Sequence, residues 1–189
     1  VIATYTNVLT EQYWHKDLPF ALSLFDETPS TQLLIGRQRY ACLAAVEQMD
    51  RNLMSTLIED EPLGIESQLR QRLHLKQKEF GQKWKQIATP AACPGRHCHH
   101  YNDCFYYRAR KGSLSSNLVI TNHSVVIQDA LLRQVTEGDI TMLGNYDFLV
   151  LDEAHDFHSA AQNGMEFEIT ENKLRQYVGL TQRIHDELL

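Results

Sequence analysis

The chain has 189 residues, 43% of them hydrophobic, with 18 Lys and Arg against 24 Asp and Glu for a net charge of −6. That is enough apolar material for one globular core, or for a core that carries an insertion. No apolar run reaches the roughly 20 residues that a membrane-spanning helix needs, and the N-terminus lacks the charged and small-residue features of a secretory signal. Four cysteines in such a chain favour reduced thiols acting as ligands or catalysts over disulfides. The net charge averages two unlike parts, because ten Lys and Arg stand against three Asp and Glu between Pro62 and Gly112. A basic module inside an acidic body suits phosphate binding, and equally suits a solvated helix face.

In chain order, Val1–Thr4 predicts a strand, and Thr6 is placed to cap a helix running through Gln12. The opening lacks a Met and reads as the inside of a strand, so the sequence is expected to be a piece of something longer. Ser30–Gly36 predicts a short buried strand. Leu43, Val46, Met49, Leu53 and Leu57 recur at helical spacing and predict a helix to about Glu59. Ile65 to Ile87 predicts one helix, with Ile65, Leu69, Leu73, Phe80, Trp84 and Ile87 on one face and most of the basic residues on the others. Asn117–His123 predicts a strand opening into a helix from Ser124 to about Val135. Phe148–Leu151 predicts a strand buried on both faces, as in a parallel sheet covered by helices. The last stretch, Thr170–Leu189, reads as helix without a cap. The alternation implies an α/β fold with Leu43–Lys111 inserted between strands.

Two carboxylates, Asp152 and Glu153, close that last strand, where ligands of open α/β sheets bind. In nucleotide hydrolysis an Asp there holds Mg²⁺, a hard cation that takes oxygen ligands. The adjacent Glu orients and deprotonates the attacking water, and His155 is placed to couple nucleotide state to a neighbouring element. The competing reading is an acidic helix start with Asp152 as an ordinary cap. It gains force because no Gly-x4-Gly-Lys-Ser/Thr phosphate loop occurs in the chain.

The stretch Ala92–Cys104 packs three cysteines and three histidines into thirteen residues. With Cys42 the spacing is Cys-x50-Cys-x4-Cys-x5-Cys, wider than the C-x2–4-C pairs of structural zinc sites. Cys42, Cys93, Cys98 and Cys104 suit an iron–sulfur cluster, with zinc and a non-metal role still open. Pro94 and Gly95 turn the chain there. His97, His99 and His100 are too close together for a zinc His pair and read as incidental. Tyr101, Phe105, Tyr106 and Tyr107 alternate with Arg96, Arg108, Arg110 and Lys111, a combination of stacking faces and cations that suits single-stranded nucleic acid. Phe105 is expected to wrap the metal site, and the cations to contact DNA.

Taken together, these stretches resemble the XPD/DinG-type iron–sulfur DNA helicases of superfamily 2, and look most like their DinG branch. "VIATYTNVLTEQYWHKDLP" is similar to motif Ia, "GRQRYAC" to the segment carrying the first cluster cysteine, and "CPGRHCHHYNDC" to the segment carrying the other three. "NLVITNHSVV" and "VLDEAH" resemble two later motifs, the second being motif II. Arg39 stands where the family usually has Asn. The resemblance implies a partial RecA-like motor domain with an inserted, mainly helical cluster domain. Residues 1–41 and 113–165 would belong to the motor, 42–112 to the cluster insertion and 166–189 to a helical arch-like region. It implies a [4Fe–4S] cluster on the four cysteines, Mg²⁺–ATP and water activation at Asp152 and Glu153, and Thr4 and Thr6 near the DNA backbone. It also implies 5′→3′ movement on single-stranded and forked DNA in a bacterial cytoplasm, at the nucleoid and away from membranes. The phosphate loop and second motor domain would come from the rest of the helicase chain, so this stretch is expected not to hydrolyse ATP unaided. Two other readings remain: a zinc-stapled, non-enzymatic nucleic-acid-binding module, and an iron–sulfur nuclease.

Overall fold

A computed structural model of the chain describes residues 1–49, 57, 63–74, 76–165, 175, 178 and 181. These divide into two compact units. The first takes Val1–Gly36 and the described part of Arg108–Glu166, and the second takes Arg37–Tyr107 and the described positions of Phe167–Leu189.

The first unit is a parallel sheet with helices, the α/β class that the alternation implies. Strands β1 (Ile2–Thr4), β2 (Thr31–Leu33), β3 (Leu118–Asn122) and β4 (Val150–Leu151) lie in the order β2-β3-β1-β4. Every pairing is parallel, which requires crossover connections. Ala3, Val119 and Ile120 of β1 and β3 are buried, as central strands covered on both faces require, and Leu33 at the end of β2 is buried with Leu34 and Ile35 after it. Thr6 caps α1 (Asn7–Gln12) by accepting the Leu9 N–H at 3.2 Å. The chain continues through a π-helical turn, Tyr13–Asp17, into α2 (Leu18–Leu22).

After β3, Asn122 caps helix His123–Val135 by accepting the Val125 N–H at 3.0 Å. Within that helix Asp129 is buried and pairs with Arg133 at 2.7 Å. The same carboxylate accepts the N–H groups of Met142 and Leu143, and Arg133 donates to the Gly144 carbonyl. One buried acid therefore holds the loop 141–144 against the helix. A last helix, Phe157–Met165, packs along it.

In the second unit, α3 (Leu43–Met49), α4 (Glu66–Leu73) and α5 (Gln77–Ile87) surround an extended segment, Tyr40–Cys42. Its backbone is pinned on both sides: Ala41 N–H donates to Gly64, Cys42 N–H to Ile87, and Thr89 N–H to Tyr40. Gly64 adopts φ 58°, and a Cβ there would collide with the Phe105 ring. Helix α6 (Phe105–Ser113) starts in this unit, with Phe105 and Tyr106 buried, and its residues from Arg108 onward, including buried Ala109 and Ser113, belong to the first. In chain order the two later helices are α7 (His123–Val135) and α8 (Phe157–Met165).

Two features differ from expectation. Ile65–Ile87 is two helices, because His74 takes a left-handed conformation (φ 47°) that ends α4 and Lys76 is extended. Its apolar face survives the break, with Ile65, Leu69, Phe80, Trp84 and Ile87 all buried. Phe148–Leu151 is not buried on both faces either: only Val150 and Leu151 form strand, at the sheet edge, and Phe148 is 80% exposed. Among the described residues no strand lies beyond β4. The expected helix beyond Met49 falls outside the described residues except at buried Leu57, as does 166–189 except at 175, 178 and 181. Among the described residues no helix is long and apolar enough to cross a membrane.

Candidate functional site

Parallel strands bring their carboxyl ends to one edge, where Thr4 and Asn122 are paired in register and Asp152 follows β4. The Asp152 N–H donates to the Ala3 carbonyl at 2.9 Å, extending the ladder to the first carboxylate. Glu153 then takes φ 53° and ψ 44°, a conformation that is uncommon for a residue with a Cβ and that concentrates at functional sites. It turns the chain off the strand into the 3₁₀ turn Ala154–Asp156. His155 is exposed, with Nδ1 3.3 Å from Glu153 Oε2 and Nε2 3.3 Å from Asp156 Oδ2. So Asp152, Glu153 and His155 stand together at the strand end.

Two further residues act on Asp152. Tyr13, in the π-helical turn, lies near Asp152; burial, and then the negative charge of that carboxylate, hold the phenol above its ordinary pKa. His123 is fully buried and its Nε2 lies 2.8 Å from the Asp152 carbonyl oxygen. A carbonyl only accepts, so Nε2 carries a proton, and Nδ1 has no hydrogen-bond partner. The ring packs against Phe157 and Tyr5, with centroids 5.2 and 6.0 Å away. The Asn-His pair closing β3 is the sequence signal for His123, whereas nothing local points to Tyr13.

Thr4 is fully buried, with its hydroxyl engaged by the Thr6 carbonyl and the Thr10 hydroxyl. Thr6 is the exposed member of that pair.

All four cysteines are free thiols in the second unit, each partly exposed. Cys42 immediately precedes α3 and Cys104 immediately precedes α6. Helix starts offer unpaired N–H groups that favour a thiolate; those of Ala45 and Ala44 bond Cys42, and those of Tyr107 and Tyr106 bond Cys104. Burial outweighs them and pushes both thiols up, reinforced by the neighbouring Cys93 and Cys98. Thiols held neutral in this way yield their protons when a metal supplies the compensating charge. Cys93 and Cys98 flank the 3₁₀ turn Gly95–His97, where Gly95 adopts φ 63°. With Cys42 they line a cleft of about 700 Å³, bordered by Arg39 and Lys85. Arg39 pairs with Glu66 at 2.5 Å. The donor set fits a soft metal centre. A single tetrahedral zinc ion with 2.3 Å bonds would draw its sulfurs to about 3.8 Å apart. Among the described residues, no three of these thiol sulfurs lie within 4.8 Å of one another.

Of the cations, Arg96, Arg108 and Lys111 are exposed, while Arg110 is half-buried and donates to the Thr141 carbonyl at 3.2 Å. Phe105 and Tyr106 are interior, and Tyr107 packs against Tyr101 and Tyr106 at 4.6 and 5.2 Å. The tyrosines meet each other in tilted and edge-on pairs.

The DEAD_2 family model matches residues 64–174, a span that includes Cys93, Cys98, Cys104 and the Asp-Glu-Ala-His stretch. The chain is 28% identical over 165 residues to the ATP-dependent DNA helicase YoaA of Escherichia coli K12, covering 82% of this chain and 26% of that protein. It is 25% identical over 209 residues to the ATP-dependent DNA helicase DinG of Salmonella choleraesuis, covering 97% and 28%. With DinG of Escherichia coli K12 the figures are 26% over 197 residues, 90% and 26%. The chain thus spans about a quarter of the length of these curated relatives.

Proposed function

The chain belongs to the DEAD_2 family, and on that premise we propose that it is the part of an ATP-dependent DNA helicase that carries the motif II carboxylates and an iron–sulfur module. What carries this reading is one conjunction: Asp152, Glu153 and His155 at the carboxyl end of a parallel strand, on the same chain as four free thiols gathered in a second unit. Residues 1–41 and 113–165 serve the motor, 42–112 form the cluster module, and 166–189 begin an arch-like region.

Asp152 is the ligand for the Mg²⁺ of bound ATP, which supplies charge neutralisation at the phosphates. His123 holds the backbone carbonyl of Asp152 by hydrogen bond, and the Tyr13 phenol lies near its carboxylate. Glu153 accepts a proton from the attacking water at its carboxylate. His155, beside Glu153 and Asp156, passes the state of the site to its neighbours. Such catalysis is chiefly positioning and electrostatics, which suits a site fixed by a hydrogen-bonded ladder. The phosphate loop and second motor domain are supplied by the remainder of the helicase. Cys42, Cys93, Cys98 and Cys104 hold a [4Fe–4S] cluster that braces the module. Thr6, Arg96, Arg108 and Lys111 contact single-stranded DNA at a fork; Thr4 and Arg110 act indirectly, by shaping the surface. Movement is 5′→3′, in the bacterial nucleoid.

Anaerobic purification should give brown protein whose broad visible absorbance is lost in Cys98→Ser. Colourless protein with stoichiometric zinc would replace this reading with that of a zinc-stapled nucleic-acid-binding module. In the full helicase, Glu153→Gln should lower ATP turnover by about 10²–10⁴-fold, the usual contribution of a general base, and unchanged turnover would remove Glu153 from its role. Replacing Arg108 and Lys111 by Ala should lower the salt dependence of single-strand binding by about 0.7 per lost phosphate contact.

A further inference from the structure

Beside the thiols, but outside their set, three other ligating side chains meet. Glu47 lies on α3, and His99 and His100 follow Cys98 in the loop. His99 Nε2 and His100 Nε2 stand 3.1 and 2.9 Å from the same Glu47 oxygen, Oε2. All three ligand atoms lie within 4.8 Å of one another, and the two imidazole rings are 4.1 Å apart, tilted at 47°. We propose that Glu47, His99 and His100 form a second binding site, separate from the cysteines, for a divalent transition ion of the zinc class.

The donor geometry is close to what such an ion needs. Tetrahedral coordination with bonds of about 2.0–2.1 Å sets ligand atoms about 3.3 Å apart. Both nitrogens already stand near that separation from Glu47 Oε2, so the ion enters with small side-chain shifts and replaces two hydrogen bonds, each neutral imidazole then carrying its proton on Nδ1 and leaving Nε2 free to ligate. Two imidazoles and a carboxylate, with no sulfur, suit zinc and its first-row neighbours and not the soft centre of the thiols. The same carboxylate is held below the usual range, first by the hydrogen bond from His100 and then by that from His99, so it is ionised and able to bind a cation at neutral pH. His100 is 16% exposed, Glu47 49% and His99 67%. The site is therefore open to water, which completes the coordination shell and lets the ion exchange. A bound ion would tie α3, which begins just after Cys42, to the loop between Cys98 and Cys104, closing about fifty residues of chain. It does this whichever metal the cysteines hold, so the site does not depend on the iron–sulfur reading.

Cobalt is the probe, because sulfur ligation gives it an intense charge-transfer band that nitrogen and oxygen ligation does not. The full chain, with its cysteine site filled, should take one further equivalent of Co²⁺ with visible ligand-field absorbance and no added sulfur charge transfer. His99→Ala/His100→Ala and Glu47→Gln should each weaken that equivalent about a hundredfold, at or beyond the 10–100-fold that losing a mere outer-sphere partner costs. His97→Ala should leave it unchanged. Equal Co²⁺ affinity and stoichiometry in wild type and the double variant would overturn the site, as would a further ion with sulfur charge transfer. Failure of the iron–sulfur reading would show separately, as protein colourless before any cobalt is added.

Discussion

The two units place their functional groups by different physical means. In the sheet unit the chemistry hangs on continuous backbone pairing. Asp152 is tied to Ala3, Asn122 is in register with Thr4, and the buried Asp129 fastens the loop 141–144. In the cysteine unit, the described residues show short helices and two isolated bridges, Tyr40–Ile65 and Ala41–Ala88. Its thiols sit at helix starts and around a 3₁₀ turn. A ladder of hydrogen bonds holds a site whether or not a ligand is bound. A loop-borne set of buried thiols gains its definition from the metal that cross-links it. The first unit should therefore be indifferent to loss of metal, and the second should not.

The sharpest way to break this contrast is to remove the metal, by chelation or Cys98→Ser. Structural metals contribute on the order of 10 kcal/mol in zinc-bound modules. Amide hydrogen exchange should then rise steeply across Arg37–Tyr107 while β1 and β3 keep their protection; parallel loss in both units would end the distinction. Next in size is Asp129→Ala, which takes the carboxylate from Arg133 and leaves two backbone N–H groups without their acceptor. It should destabilise the sheet unit by about 3 kcal/mol in urea titrations and leave the visible absorbance of the metal centre intact. Gly64→Ala forces a side chain into the Phe105 ring at positive φ. A loss of about 2 kcal/mol, confined to the cysteine unit, is expected from such overpacking and strain. Smallest is Thr6→Ala, which removes the cap of α1 and should cost about 1 kcal/mol. A Thr6→Ser variant that restores the stability would tie the effect to the hydroxyl.

The sheet was legible where each residue's conformation follows from its immediate neighbours. The apolar runs at Val1–Thr4 and Asn117–His123 announced strands, and Thr6 announced a helix start, since a cap acts within three residues. The Asp-Glu pair after Leu151 marked the strand end. The break at His74 carried no Gly or Pro to announce it, and His74 itself takes the left-handed turn. Phe148 and Leu149 are exposed and precede the strand residues Val150 and Leu151, because the run pairs only with β1 among the described residues, and local hydropathy does not decide pairing.

The candidate sites divide the same way. Sequence alone singled out Asp152, Glu153 and His155 because they are contiguous, and the four cysteines because thiols are few and their spacing is unusual. It left His99 and His100 as incidental, gave Glu47 no role, and had no means of joining Tyr13 or His123 to Asp152. Those pairings are separated by between 29 and 139 residues of chain. Short-range patterns determine which segments become helix or strand and which residue types can do chemistry. Only the tertiary structure decides which distant side chains share a proton or a metal, because that is settled by how the units fold back on themselves.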